Sequence, residues 1–206
     1  MEIPKELEML YNWIEDNNLF IDDKNGYRIG FLYPENKLKD SWTEIEREGG
    51  TQIEFAAGGT VNLKYWFGGN EDEELKSRLC VFAQSGAEGS ESALWLNDNN
   101  DLKVIHMGSG SGSTLSCVLA DNMVDFIRLL AIGYDEICWN ENFPYPPNEH
   151  NDGFIVKPNL EFQKWVKKTF NTTIPKTALE IVEHPATMDD DNSEDEFFNW
   201  YQKYIK

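Results

Sequence analysis

The chain has no run of about 18 apolar residues, so nothing in it reads as a membrane-spanning helix. Its first ten residues, MEIPKELEML, lack the basic flank and unbroken apolar stretch of a secretion signal, which places the protein in the cytoplasm as an expectation. Cysteine is scarce. Cys80, Cys117 and Cys138 are an odd, widely spaced set among apolar or small neighbours and read as buried, reduced thiols, not as a disulfide framework. His106, His150 and His184 stand alone and no CxxC pair exists, so no metal site and no cofactor are expected. There is no GxSxG elbow. The Gly/Ser run at 108–113 invites a phosphate-loop reading. However, no lysine lies between Lys103 and Lys157, and Ser113 stands where a dinucleotide fingerprint needs glycine. Carboxylates are so abundant that choosing a catalytic pair would be arbitrary. The expectation is a protein that binds and does not catalyse.

Positive charge is the other deficit. Against 37 Asp and Glu stand 18 Lys and Arg, a net charge of −19. Residues 1–50 hold 12 acids and 6 bases, residues 51–139 hold 13 and 5, and residues 140–206 hold 12 and 7. The acidity is therefore spread over the whole chain and is not confined to a tail. Such a surface repels nucleic acid and anionic membranes and speeds encounters with basic partners. The plainer reading, that acidity only keeps the protein soluble, stands beside this one.

What is present is an ordinary supply of core residues: 40 % hydrophobic over 206 residues, with 7 Trp, 8 Tyr and 12 Phe. A first helix follows Pro4, with Leu7, Leu10, Tyr11 and Ile14 on one stripe. Residues 27–33 alternate Tyr27, Ile29, Phe31 and Tyr33 as a strand does, and a polar stretch follows. Residues 52–56 and 61–67 read as two strands of a hairpin turning at Gly58-Gly59, with residues 68–77 as a loop. LCVFA, SALWL and KVIHM then read as three strands, the last two joined by the turn NDNND. The Gly/Ser loop closes the sheet region. A buried helix over 121–132 is capped by Asp121 and stopped by Gly133. Residues 140–158 hold four prolines and no period, and read as a connection or an ordered wrap. Three helices are expected beyond it. One shows Phe162, Trp165, Val166 and Phe170 on a face, and two open at the capping boxes Thr177-x-x-Glu180 and Ser193-x-x-Glu196. The fold class is α+β: a core over residues 1–139 with a central mixed or antiparallel sheet flanked by helices, a proline-rich connection over 140–158, and a helical extension over 159–206 packed on the core. Val81, Trp95 and Ile105 are expected to pack against Phe126, Ile127 and Leu130.

One segment resembles a known family. Phe82-Ala83-Gln84-Ser85-Gly86, Gly89-Ser90, Ala93-Leu94-Trp95-Leu96 and Val104-Ile105-His106-Met107-Gly108-Ser109 resemble the central strands of the SUKH superfamily, which includes the Smi/Knr-type cell-wall regulators. Leu119-Ala120-Asp121-Asn122 with Asp125-Phe126-Ile127-Arg128-Leu129-Leu130 is similar to that family's LA-x-N-x-x-D-F-L-x-L-L helix. Gly110-Ser111-Gly112 departs from it, standing where the family usually has glutamate. The resemblance covers about a quarter of the chain and implies an α+β core with a sheet flanked by helices. It also implies the work of an immunity protein, which neutralises a toxin exchanged between competing bacteria. The toxin so implied is a nucleic-acid-targeting domain with a basic surface. Regulation or scaffolding of cell-wall and envelope synthesis, as in the fungal relatives, is the alternative, and an enzyme whose site the sequence does not reveal comes last.

Partner-binding residues are expected on acidic turns between strands, since rigid scaffolds carry their binding groups on loops. The candidates are Glu71, Asp72, Glu73 and Glu74, then Glu88 and Glu91, then Asp98 and Asp101. Trp66 is expected as an exposed aromatic anchor, on the opposite face of its run from Val61 and Leu63.

Overall fold

The computed structural model describes residues 1–34, 36–37, 46–150 and 153–205; residues 38–45 of the polar stretch lie outside the described residues. The fold is α+β. Helix α1 (Lys5–Asp16) begins after Pro4, carries Glu6 and Glu8 at the positive end of its dipole, and buries Leu7, Leu10, Trp13 and Ile14. Strands β1 (Phe20–Asp22) and β2 (Arg28–Gly30) follow as a hairpin. Then come β3 (Glu46–Gly49), β4 (Glu54–Gly59), α2 (Glu73–Arg78), β5 (Leu79–Gln84), β6 (Glu91–Leu96), β7 (Leu102–Met107), β8 (Ser116–Ala120) and α3 (Met123–Ile132). The C-terminal part holds β9 (Ile155–Pro158), α4 (Leu160–Phe170) and α5 (Glu196–Tyr201). Seven strands form one antiparallel sheet in the order β1-β2-β4-β5-β6-β7-β8, while β3 and β9 form a separate parallel pair.

The sheet is apolar on both faces. On one side Phe82, Leu94, Val104, Cys117 and Leu119 join α1, α3 and α4 in the larger core, which includes Phe126, Ile127, Leu130, Phe162 and Val166. On the other side Val81, Ala93, Trp95, Ile105 and Met107 join Leu63, Phe67 and Leu75, under Phe197, Trp200 and Tyr201 of α5. This corrects the expected packing of Val81, Trp95 and Ile105 against Phe126, Ile127 and Leu130. All six are buried, but a strand sends successive side chains to opposite faces, and the three strand residues take the α5 side.

Several elements differ from their expected form. Residues 61–67 are not a strand. The chain stays extended through Gly58, where an added Cβ would lie 2.8 Å from Val81 Cγ1, and then turns into a 3-10 helix over Leu63–Tyr65. Residues 73–78 are helix α2 and not loop, started by Asp72, whose carboxylate accepts from Glu74 N at 2.9 Å. The Gly/Ser loop does not end the sheet: β8 follows and pairs with β7. The α3 cap is Asn122, accepting from Asp125 N at 3.0 Å, and not Asp121. Thr177 and Glu180 do form a capping box, but it closes only a 3-10 turn over Ala178–Glu180. Ser193 accepts from Asp195 N, and Asp195 is the cap of α5.

Candidate functional site

The predicted partner-binding residues fall into two groups at opposite ends of β6. Glu91 opens that strand and Asp98 follows its end, and a six-residue strand spans about 17 Å at roughly 3.3 Å per residue.

At the first end, Asn70 Oδ1 accepts from Asp72 N at 2.9 Å and so orders the approach to α2. Glu73 and Glu74 reach one turn along the helix to Lys76 (3.2 Å) and Arg78 (3.5 Å). Arg78 also donates to Asp98 Oδ1 at 3.0 Å and to Asn97 O at 3.1 Å. One guanidinium therefore ties α2 to the β6–β7 turn. Within that turn Asn97 Oδ1 accepts from Asn99 N and Asp101 N, both at 2.9 Å. The C-terminal Lys203 reaches Asp98 at 3.5 Å. Glu71, Asp72, Glu73, Glu74, Asp98 and Asp101 are all exposed. Burial first, and then the charges of Glu74, Asp72 and Asp98, push the Tyr204 phenol above its usual range, with Arg78 opposing; the ring sits at this acidic face.

Trp66 is not the exposed anchor expected. Its indole Nε1 donates to Gly108 O at 2.7 Å, and the half-buried ring packs against the α5-side core. The tight turn in place of a strand rotates its neighbour outward instead: Tyr65 is 74 % exposed.

At the other end, Glu91 is turned inward. One of its oxygens is buried with no hydrogen-bond partner among the described residues, and burial lifts its pKa to about 7. Burial thus favours its neutral form, and the residue serves poorly as a charged contact. Glu88 accepts a hydrogen bond from Ser90 Oγ through one oxygen, while the other is buried. Beside it lie Glu136 and Cys138, with one potential ligand atom from each of the three within 4.8 Å of the others. Sequence reading found no such group, because nearly fifty residues separate Glu88 from its two companions. Both Glu136 oxygens already accept, from Ala87 N and Trp139 Nε1 at 2.8 Å each. Burial, aided by Glu136 and Glu88, pushes the Cys138 thiol far up, so the residue is held as the thiol, a poor ligand and nucleophile. His106 is fully buried with Nδ1 2.8 Å from Leu115 O, and burial lowers its pKa to about 4, so its ring is neutral.

Next to Glu136 a cavity of about 280 Å³ opens between the proline-rich segment and the β3–β9 pair. Gly133, at φ 94°, ends α3 so closely under Pro158 that an added Cβ would lie 2.5 Å from that ring. The following Tyr134-Asp135-Glu136 is thereby laid along the cavity. Arg47 of β3 donates to Asp135 Oδ2 at 2.5 Å, and its guanidinium lies 3.7 Å from the centre of the Phe154 ring. Gln52 supports the other Asp135 oxygen at 3.0 Å. Tyr134 Oη donates to Tyr145 O at 2.8 Å, and Asn148 grips Val156 of β9 through both its N–H and its carbonyl. Residues 140–150 are thus an ordered wall, carrying Tyr145 and His150 with ring centroids 3.8 Å apart.

No family model, curated protein or solved structure matches the chain.

Proposed function

We propose that the protein is a cytoplasmic immunity protein that binds a basic, nucleic-acid-targeting toxin and neutralises it by docking, without catalysis. The observation that carries this reading is the Arg78 bridge. By joining Glu74 to Asp98 it gathers six exposed carboxylates (Glu71, Asp72, Glu73, Glu74, Asp98 and Asp101) around three cations, Lys76, Arg78 and Lys203. Four of the six acids lie at or just before the start of α2 and two on a tight turn, so folded elements hold the charges in place and little ordering entropy is lost on docking. Tyr204 supplies aromatic surface beside them, and the exposed Tyr65 lies six residues before Glu71. A toxin that grips nucleic acid needs a positive surface, and this face offers it carboxylates where it would otherwise meet phosphates.

The test is growth rescue. The product of the gene immediately upstream is induced alone, with the wild-type protein, and with a Glu71→Lys, Glu73→Lys, Glu74→Lys variant. Toxicity relieved by the wild type and not by the variant supports the reading. An upstream product that is harmless overturns it and favours the cell-wall or envelope regulator instead.

A further inference from the structure

The cavity beside Asp135 and Glu136 belongs to neither group of expected contact residues, and its chemistry is specific. It already contains one bound guanidinium, that of Arg47. Asp135 supplies the carboxylate for it and Phe154 the aromatic face. Glu136, Trp139 and Tyr145 bring the same combination of carboxylate and aromatic rings to the cavity a second time. The field there is negative. Among the described residues Arg47 pairs with Asp135, Glu136 has no cation beside it in the lining, and Glu141 and Glu149 lie exposed on the same segment. Two buried groups register that field: the Tyr33 phenol is raised by burial and then by Asp135, Glu54 and Glu136, and the Cys138 thiol by burial and then by Glu136 and Glu88.

We propose that this cavity is a binding site for a guanidinium group, that of an arginine side chain presented by a partner protein. An anion is disfavoured because, among the described residues, the guanidinium that lines the cavity is engaged by Asp135 and every carboxylate there is left to oppose it. At about 280 Å³ the space lies just under the range of about 300–1,000 Å³ that holds drug-sized molecules, so it suits one side chain and not a nucleotide. Carboxylate acceptors favour a guanidinium over a quaternary ammonium, because the planar fork donates hydrogen bonds as well as stacking on rings. A peptide-borne arginine is favoured over the free amino acid, because the space suits the side chain alone and neighbouring peptide residues add contacts at its rim. This site goes beyond the acidic face at α2 and stands or falls without it, because its test needs no toxin.

The experiment is calorimetric titration of the purified protein with three probes. They are an acetylated and amidated Ala-Arg-Ala peptide, the same peptide with neutral citrulline, and free arginine. The arginine peptide binds saturably, and the citrulline peptide is weaker by about tenfold, the loss of one charge-assisted hydrogen bond. Glu136→Gln weakens the arginine peptide by about as much, while keeping an oxygen for Ala87 or Trp139. Tyr145→Ala also weakens it. That variant removes only the ring, since Tyr134 bonds the Tyr145 backbone carbonyl, so the test survives if Glu136→Gln does not fold. Equal binding of the arginine and citrulline peptides, no saturable heat, or tighter binding of free arginine than of the peptide would each overturn the proposal.

Discussion

Asp195 caps α5 and holds the outer strand of the sheet with one carboxylate: Oδ1 accepts from Phe198 N at 2.7 Å and Oδ2 from Val118 N of β8 at 2.9 Å. The side that buries Trp95 is covered by α5, so this group fastens the lid of the second core. Burial raises its pKa to about 6, against which both backbone donors pull. The folded state therefore binds a proton that the unfolded state has released by pH 6. The native state loses stability relative to the unfolded one as pH rises from about 4 to about 6, and the loss is complete above that. Asp195→Asn keeps a capping oxygen and removes the charge, so this component of the pH slope disappears. Asp195→Ala costs about 1–2 kcal/mol at pH 7, as lost caps do. Denaturant unfolding of the three proteins at pH 4 and pH 7 checks both.

The two cores should fail independently. Phe126 is fully buried against the Phe82 ring, 5.5 Å away, and Phe197 against the Trp95 ring, 5.3 Å away on the other side of the sheet. Each Phe→Ala substitution costs about 3–5 kcal/mol. Because the sites share no partner, the penalties add to within about 0.5 kcal/mol, measured at equilibrium on the double variant in a background that tolerates the loss. A larger coupling would mean that strain crosses the sheet.

Trp66 and Tyr65 should exchange the roles that a strand would have given them. Trp66→Phe removes the bond to Gly108 O and lowers stability by about 1–3 kcal/mol, the range for a buried acceptor left unpaired. Tyr65→Ala leaves stability within about 0.5 kcal/mol, as surface changes do, and speeds dissociation of a partner bound at α2. Melting curves and dissociation rates separate the two.

Reversing Glu71, Glu73 and Glu74 to lysine acts on association. Asp72 is left in place because it caps α2. The association rate with the cognate partner falls by about tenfold at low salt, and its salt dependence flattens. Stopped-flow kinetics over a salt series reads this; an unchanged rate places the interface elsewhere.

Helix 160–170 was legible from its period, strands β5 to β7 and the α3 span from apolar runs bounded by turn or cap residues, and Gly133 marked its helix end by itself. What was not legible depends on partners far along the chain. The alternation in 61–67 is real, but Gly58 and the covering α5 make Leu63 and Phe67 the inward pair of a tight turn. β8 is five residues following a loop rich in glycine and serine, and only its pairing with β7 identifies it. The choice of sheet face for Val81 and Trp95 is a matter of parity, invisible when both faces are apolar. The acids 71–74 and 98 were legible as charge, but their meeting required Arg78, and the inward turn of Glu91 left no local sign. The cavity was hidden for the same reason: Arg47 and Asp135 lie 88 residues apart.

The parallel pairing of β3 with β9 sets a schedule. Its outer ion pair joins Lys157 to Glu46 across 111 residues, and a parallel pair cannot be closed by a local turn. During synthesis all seven strands of the main sheet leave the ribosome before Ile155 does. The strand that carries Arg47 into the cavity is therefore paired late, after the last lining residue, Phe154, has emerged. A chain cut short before Ile155 would carry every strand of the sheet and every residue that lines the cavity, yet lack the partner strand beside Arg47 and the helix that shields Trp95.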